Sequence, residues 1–94
     1  MSAEPTIDDT LDRLRELLAL NDVAVIDLVN RRLELVDQIK QRKAELGVAF
    51  VDPEREAWLF DHLRAANNGR LSDEGLRAFL KTLLELTKSE LGTR

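Results

Sequence analysis

The sequence predicts an all-α chain in which one long helix is followed by two shorter ones. Neither proline nor glycine occurs between Pro5 and Gly47, and this stretch is rich in residues that favour helices. Two later segments carry turn and helix-start signals, Asp52-Pro53 and Asn67-Asn68-Gly69. No stretch alternates polar and apolar residues as a half-buried strand would. Three helices without a sheet follow from this pattern.

The long helix is predicted to cover residues 7–46. Thr6 is expected to cap its start, with Asp8 and Asp9 in the first turn, where the helix dipole favours negative charge. Gly47 is expected to cap its end. A helix of this length extends about 60 Å, since each residue adds about 1.5 Å. That is too long for a compact monomer of 94 residues.

The two shorter helices are delimited by caps and turns. The second is predicted to begin at Asp52-Pro53, an N-cap followed by a proline at the first helical position, and to run to about Ala66. After the turn at residues 67–69, Ser72 is expected to cap a third helix that ends near Leu91-Gly92.

The composition excludes several classes of site. The chain has no cysteine and one histidine, His62, so it has no disulfide, thiolate site or multi-histidine metal site. Its net charge of −4 argues against bulk attraction to nucleic acid or anionic membranes. It shows neither a signal peptide nor an apolar run of about 20 residues. We expect a single cytoplasmic, monofunctional domain over residues 1–94, with residues 1–6 flexible and no metal or cofactor.

One face of the long helix carries both aliphatic and cationic residues. Steps of four and three residues, the 3.5-residue period of a buried seam, give Leu11, Arg15, Leu18, Asp22, Val25, Val29, Arg32, Val36, Ile39 and Lys43. Six of the ten are aliphatic, so this face is predicted to pack inward. One carboxylate cannot balance three buried cations. The seam therefore indicates a pocket for a small ligand with more than one carboxylate, which arginine binds as a two-pronged fork.

Distances along the helix predict how such a pocket is assembled. Arg32 and Lys43 are 11 residues apart, about 16 Å, and long side chains can clasp one ligand between them. Arg15 is 17 residues, about 26 Å, from Arg32 and cannot reach that ligand from the same helix. An antiparallel second copy could bring it there, which predicts a two-fold homodimer with shared sites. Periodicity alone leaves another interpretation open, a coiled-coil interaction element whose seam cations extend into solvent.

These residues resemble the all-α chorismate mutases, the AroQ type. The similar positions are Arg15 with Asp22 seven residues later, Arg32 within Asn30-Arg31-Arg32, Lys43, and the segment Val51-Asp52-Pro53-Glu54-Arg55-Glu56. The resemblance covers nearly the whole chain and needs no gap between Arg15 and Glu56. It implies an intertwined homodimer of three-helix chains with two sites. It also implies an isomerase that rearranges chorismate to prephenate, in the shikimate pathway of aromatic amino-acid biosynthesis.

The resemblance implies which residues bind the two substrate carboxylates. Arg15 would reach one of them from the other subunit, and Arg32 would bind a carboxylate within its own subunit. Arg55 would be the remaining cation near these groups. The reaction is pericyclic, so such a site has to hold a reactive conformer and needs no nucleophile, metal or cofactor.

The resemblance implies a second group of residues around the reacting bond. Lys43 would donate a hydrogen bond to the ether oxygen, on which negative charge develops as the bond breaks. Glu56 would accept from the substrate hydroxyl, and Asp52 would contact that hydroxyl through its backbone. His62 is expected to be a surface or interface residue, and Trp58 a packing residue.

The third helix departs from the family pattern. Thr87 fits a small hydroxyl position there, but the glutamine or glutamate expected four residues later falls on Leu91, which cannot hydrogen-bond. Either the turn at residues 67–70 shifts the alignment or the site lacks one donor. The missing donor would cost on the order of 3 kcal/mol of transition-state stabilisation. Some short family members gain activity when they bind DAHP synthase, so activation by that enzyme is a hypothesis for this chain.

Two further functions remain open from the sequence. The same fold can eliminate pyruvate from isochorismate, and the full Asp-Pro-Glu-Arg-Glu segment favours the mutase over this lyase. A non-catalytic helical dimerisation or regulatory domain is the other alternative, with Leu91 as its best support. The retained cations argue against it, because aliphatic residues would stabilise a purely structural seam better.

Overall fold

The structure, a computed structural model, describes residues 7–92. Within them it contains three α-helices, α1 (Ile7–Leu46), α2 (Pro53–Ala66) and α3 (Asp73–Glu90), and no strand. The all-α class is confirmed, as are the predicted bounds of α1 and α2. None of these described helices is long and apolar enough to cross a membrane. The expected Thr6 cap and the expected flexibility of residues 1–6 lie outside the described residues.

Gly47 ends α1 because it adopts a backbone conformation that other residues reach only with strain. Its φ angle is +69°, in the left-handed region. The N–H of Gly47 donates to the Ala44 carbonyl at 3.2 Å, and the N–H of Val48 donates to the Lys43 carbonyl at 3.0 Å. This pair of bonds is the Schellman motif, which satisfies carbonyls at the helix end and turns the chain away from its axis.

Side-chain caps fix the starts of the two shorter helices. The Asp52 carboxylate accepts from the Arg55 N–H at 3.2 Å, and the Ser72 hydroxyl accepts from the Gly75 N–H at 3.0 Å. A Cβ at Gly75 would lie 2.8 Å from Leu71 Cδ1. Glycine at this position therefore lets the Leu71 side chain lie against the first turn of α3.

The described chain divides into two units, residues 7–32 and residues 33–92. In the first, every residue from Asp8 to Leu28 is exposed, including the seam positions predicted to pack inward. In the second, α2 and α3 pack against each other. The buried residues of the described chain all lie on one face of α3, namely Leu76, Leu80 and Thr87.

The second half of α1 follows the predicted seam with one difference. Val29, Arg32, Val36 and Lys43 are half-buried, as the seam predicts. Ile39, however, is 50% exposed, and Lys40 takes the half-buried place. The Lys40 ammonium donates to the Leu91 carbonyl at 2.8 Å and so ties α1 to the end of α3. A cation beside the last carbonyls of a helix also complements the helix dipole.

Candidate active site

Lys43 lies where α1 gives way to the segment that enters α2. It is half-buried, its ammonium donates to the Phe50 carbonyl at 3.0 Å, and it lies 5.9 Å from the centre of the Phe50 ring. Phe50 is two residues before Asp52, so these contacts hold the Lys43 ammonium beside the start of α2. A lysine ammonium has three N–H donors, and the Phe50 carbonyl occupies one of them. Two donors are left for a ligand or for water.

The first turn of α2 carries three of the predicted site residues. Asp52 accepts the Arg55 N–H with its carboxylate and the Glu56 N–H, at 3.1 Å, with its backbone carbonyl. Both bonds fix the backbone from which the Arg55 and Glu56 side chains extend. Asp52 therefore has a structural role as an N-cap, whichever contact its backbone makes with a ligand.

Glu56 lines a groove between α2 and α3. The groove has a volume of about 280 Å³, and its other walls are Ala57, Phe60, Arg77, Leu80, Lys81 and Leu84. The guanidinium of Arg77 lies 4.1 Å above the Phe60 ring. Glu56 is half-buried, and two cations from α3, Arg77 and Lys81, line the same groove.

Arg55 stacks on an aromatic ring of its own helix. Its guanidinium carbon lies 3.8 Å from the centre of the Trp58 ring. The other partner of Trp58 is His62, whose ring centre is 4.7 Å away with an angle of 10° between the two ring planes. Positions 55, 58 and 62 share one face of α2, because residues three and four apart are neighbours on a helix.

Arg32 carries its charge in a half-buried position on α1. Burial lowers the pKa of its guanidinium, since a low-dielectric environment disfavours the charged form. Arginine nevertheless stays protonated at neutral pH. A half-buried guanidinium that remains charged attracts a carboxylate more strongly than one in water would.

Arg15 is exposed on the first part of α1. Its guanidinium forms a long ion pair of 3.9 Å with Asp12, one turn earlier. Asp22, the one carboxylate on the predicted seam, forms no ion pair within residues 7–92. An exposed pair of this kind contributes little to stability, so Arg15 is held only weakly in its present position.

The two site residues predicted at the end of α3, Thr87 and Leu91, form hydrogen bonds within the chain. Thr87 is buried, and its hydroxyl donates to the Leu83 carbonyl at 2.7 Å. Leu91 caps α3, where its N–H donates to the Thr87 carbonyl at 3.0 Å and its own carbonyl accepts from Lys40. The apolar side chain of Leu91 adds no hydrogen-bond donor to the site.

The sequence interpretation missed three contacts. The first is the bond from Lys40 on α1 to the Leu91 carbonyl, and the second is the bond from Lys43 to the Phe50 carbonyl. The third is the stack of Trp58 with Arg55 and His62. A signal was present for the first, because Lys40 is one helical turn before Lys43 and shares its face. Nothing local in the sequence indicates the Phe50 contact.

Comparison with known proteins identifies a family for this chain. The family described as chorismate mutase type II matches residues 14–90, most of the chain. This chain belongs to that family. The matched segment contains every predicted site residue except Leu91, which lies one position beyond it. No solved structure matches the chain.

One curated relative is a bifunctional chorismate mutase/prephenate dehydratase from Stutzerimonas stutzeri. It is 29% identical over 82 residues, which cover 81% of this chain and 22% of the relative. The chain therefore spans about a fifth of the length of that relative.

Proposed function

We propose that this chain is a chorismate mutase that rearranges chorismate to prephenate in aromatic amino-acid biosynthesis. The observation that carries the proposal is the family match over residues 14–90, since it includes Arg15, Arg32, Lys43, Arg55 and Glu56 together. The reaction breaks one carbon–oxygen bond and forms one carbon–carbon bond within a single molecule. We expect it to take place in the cytoplasm.

Lys43 is proposed to stabilise the charge that develops on the ether oxygen. Its ammonium is already fixed against the Phe50 carbonyl and retains two donors. A donor held in place before the reaction stabilises the transition state without reorganising as the charge builds. Glu56 is proposed to accept from the substrate hydroxyl, and the backbone of Asp52 to lie beside the same group.

Three arginines are proposed to hold the two substrate carboxylates in the reactive geometry. Arg32 and Arg55 would act within one subunit. Half-burial of Arg32 supports its part, because a charge already removed from water loses less hydration when a ligand arrives. Holding both carboxylates keeps the reacting carbon atoms near each other, which is the main contribution that a site can make to a pericyclic step.

Arg15 is proposed to come from the partner subunit of an intertwined homodimer. Arg15 and Arg32 are 17 residues apart on one helix, which is about 26 Å along its axis. The exposure of every residue from Asp8 to Leu28 supports the dimer, because the leucines and valines of this stretch find no cover within it. The full 94-residue chain would then be one domain of that dimer.

A partner enzyme is proposed to improve a site that lacks one donor. Leu91 brings no hydrogen bond to the ether oxygen, and the Thr87 hydroxyl is directed to the Leu83 carbonyl. DAHP synthase, by binding near the end of α3, would shift these residues and raise turnover. Addition of this enzyme from the same source should then raise kcat, and an unchanged kcat would exclude it as an activator.

The deciding experiment follows the ultraviolet absorbance of chorismate on addition of purified protein. We expect wild type to consume chorismate with formation of prephenate, and Lys43→Ala to lose about 100- to 1000-fold in kcat, as when a preorganised oxyanion donor is removed. Arg42→Ala is the matched control, since it removes a neighbouring exposed cation that pairs with Glu45. Turnover that survives in Lys43→Ala would contradict the assigned role.

Two further assays separate the alternatives. Isochorismate offered in place of chorismate tests for pyruvate release, and its conversion at the higher rate would make the chain a lyase. Arg32→Met separates a mutase from a structural protein. A mutase should lose activity in this variant, whereas a structural protein should keep or gain thermal stability, since an aliphatic residue suits a purely structural seam better than a charge. If wild type shows no turnover even with DAHP synthase present, the non-catalytic dimer is the interpretation that remains.

A further inference from the structure

Three side chains form a continuous stack along one face of α2. Trp58 lies in the middle, with the Arg55 guanidinium 3.8 Å from its ring centre and the His62 ring 4.7 Å away. The two aromatic rings are nearly parallel, at 10°. Trp58 is 46% exposed, so the stack lies on the surface of the described chain rather than in its core.

The indole ring is what orients the Arg55 guanidinium. Among residues 7–92, Arg55 forms no ion pair, and its side chain contacts Trp58. A free arginine samples many rotamers, and a ligand that binds it has to order them. A cation over the face of tryptophan, the most favourable ring for this contact, loses that freedom before the ligand arrives.

The stacked geometry leaves the donors of Arg55 available. A guanidinium that lies over a ring contacts it with its flat face, whereas its five N–H groups point outward in its plane. The edge can therefore bind a carboxylate with two hydrogen bonds while the face stays on the ring. His62, in turn, packs on Trp58 and restricts the rotation of the indole.

We propose that Trp58, supported by His62, is a positioning residue that holds the Arg55 guanidinium for a substrate carboxylate. This inference rests on the proposed function, because that function gives Arg55 its carboxylate. Trp58 acts through Arg55 and touches no reacting atom. Its contribution should therefore appear in substrate binding more than in the chemical step, since a carboxylate is bound in the ground state and in the transition state alike.

The composition of the chain makes the stack directly observable. Trp58 is the only tryptophan and His62 the only histidine, so fluorescence emission reports on this pair alone. A ring stacked on the indole shields one of its faces from water. We expect His62→Ala to move the Trp58 emission maximum to longer wavelength, and His62→Phe, which keeps a stacked ring, to leave it near its wild-type position. An unchanged maximum in His62→Ala would show that the stack does not form.

The functional test compares two substitutions of Trp58 by steady-state kinetics with chorismate. We expect Trp58→Leu to raise KM about two- to tenfold, with a smaller change in kcat, because a cation–π contact of ordinary strength is lost. Trp58→Phe keeps a ring and should restore most of the affinity. Phe79→Leu is the control, since Phe79 is a similarly exposed aromatic residue but lies on α3, whereas the Arg55 guanidinium stacks on Trp58. Circular dichroism checks that each variant keeps its helices.

The outcomes distinguish this inference from the proposed function. Turnover with the same KM in Trp58→Leu as in wild type would overturn the inference alone. A loss of activity in Trp58→Leu that follows only the amount of folded protein, or that Trp58→Phe does not relieve, would also overturn it by showing a purely structural role. A wild type that neither converts chorismate nor shifts its Trp58 emission with prephenate would overturn both.

Discussion

Residues 8–28 and residues 33–92 differ in whether any of their apolar side chains are buried. In the second region α2 and α3 pack together, and Leu80 is only 5% exposed. In the first region Leu18, on the predicted seam, is 60% exposed, and Ile26 on another face is equally so. Both regions are helical and rich in leucine and valine. They differ in whether the chain itself supplies something for those residues to pack against.

The difference supports the proposal that a second chain covers the first half of α1. Ala19, Val23 and Ile26 form a shallow apolar surface beside Asp22 and Asp27, in addition to the predicted seam. A helix with apolar residues on more than one face belongs in a buried setting. The region that buries its own core holds Lys43, Asp52, Arg55 and Glu56, whereas the exposed region holds Arg15. In the proposed dimer the first region of one chain would complete the second region of its partner.

The largest expected effect tests this comparison with two leucines. Leu80→Ala should destabilise the protein by about 2–5 kcal/mol, as for other large-to-small changes in a core. Leu18→Ala should cost a similar amount if a partner covers it, although an exposed residue of a lone chain would change stability by less than about 0.5 kcal/mol. Thermal unfolding at several protein concentrations, with sedimentation to count subunits, measures both. A Leu18→Ala protein as stable as wild type would contradict the proposal that a partner covers Leu18.

A smaller effect is expected at the end of α3. Leu91→Gln supplies the donor that the resemblance leads one to expect, so we predict a rise in kcat of up to about tenfold, part of what an oxyanion donor contributes elsewhere. Leu91→Met is the control, because it keeps an apolar side chain of similar volume. Initial rates with chorismate in the absence of any partner enzyme decide the result. A lower kcat in Leu91→Gln than in Leu91→Met would mean that the site tolerates leucine without a missing contact.

The smallest effect concerns the cap that orders the first turn of α2. Asp52→Ala removes the acceptor for the Arg55 N–H and should cost about 1 kcal/mol of stability. Ser72→Ala removes the equivalent acceptor at α3 and should cost a similar amount. We expect KM to rise only in Asp52→Ala, since only that cap carries Arg55 and Glu56. Equal KM values in the two variants would show that the cap does not order the site.

The helices could be predicted closely because their ends have local causes. Gly47 ends α1 through its own φ angle, and Asp52 and Ser72 start the other helices through bonds to residues three positions later. Such signals can be recognised within a few consecutive residues of the sequence. The predicted all-α class followed from them without any knowledge of how the helices pack.

The site could be predicted only in part, because its details depend on distant residues. The seam period allows residue 39 or residue 40 to face inward after Val36, since 3.5 and 3.6 residues per turn diverge slowly. The structure selects Lys40, whose partner is the Leu91 carbonyl, 51 residues away. The Phe50 contact of Lys43 likewise depends on the path of residues 47–52. The stack on Trp58 depends on rotamers, which no periodicity specifies.

Subunit complementation tests the central claim of a site shared between two chains. Arg15→Ala and Lys43→Ala should each be nearly inactive as homodimers. When the two are unfolded and refolded together, about half of the dimers should be mixed, and each mixed dimer should regain one intact site of its two. The account predicts recovery of about a quarter of wild-type activity, in proportion to the mixed dimers. A mixture that stays as inactive as its components would contradict it, because Arg15 and Lys43 would then have to act from the same chain.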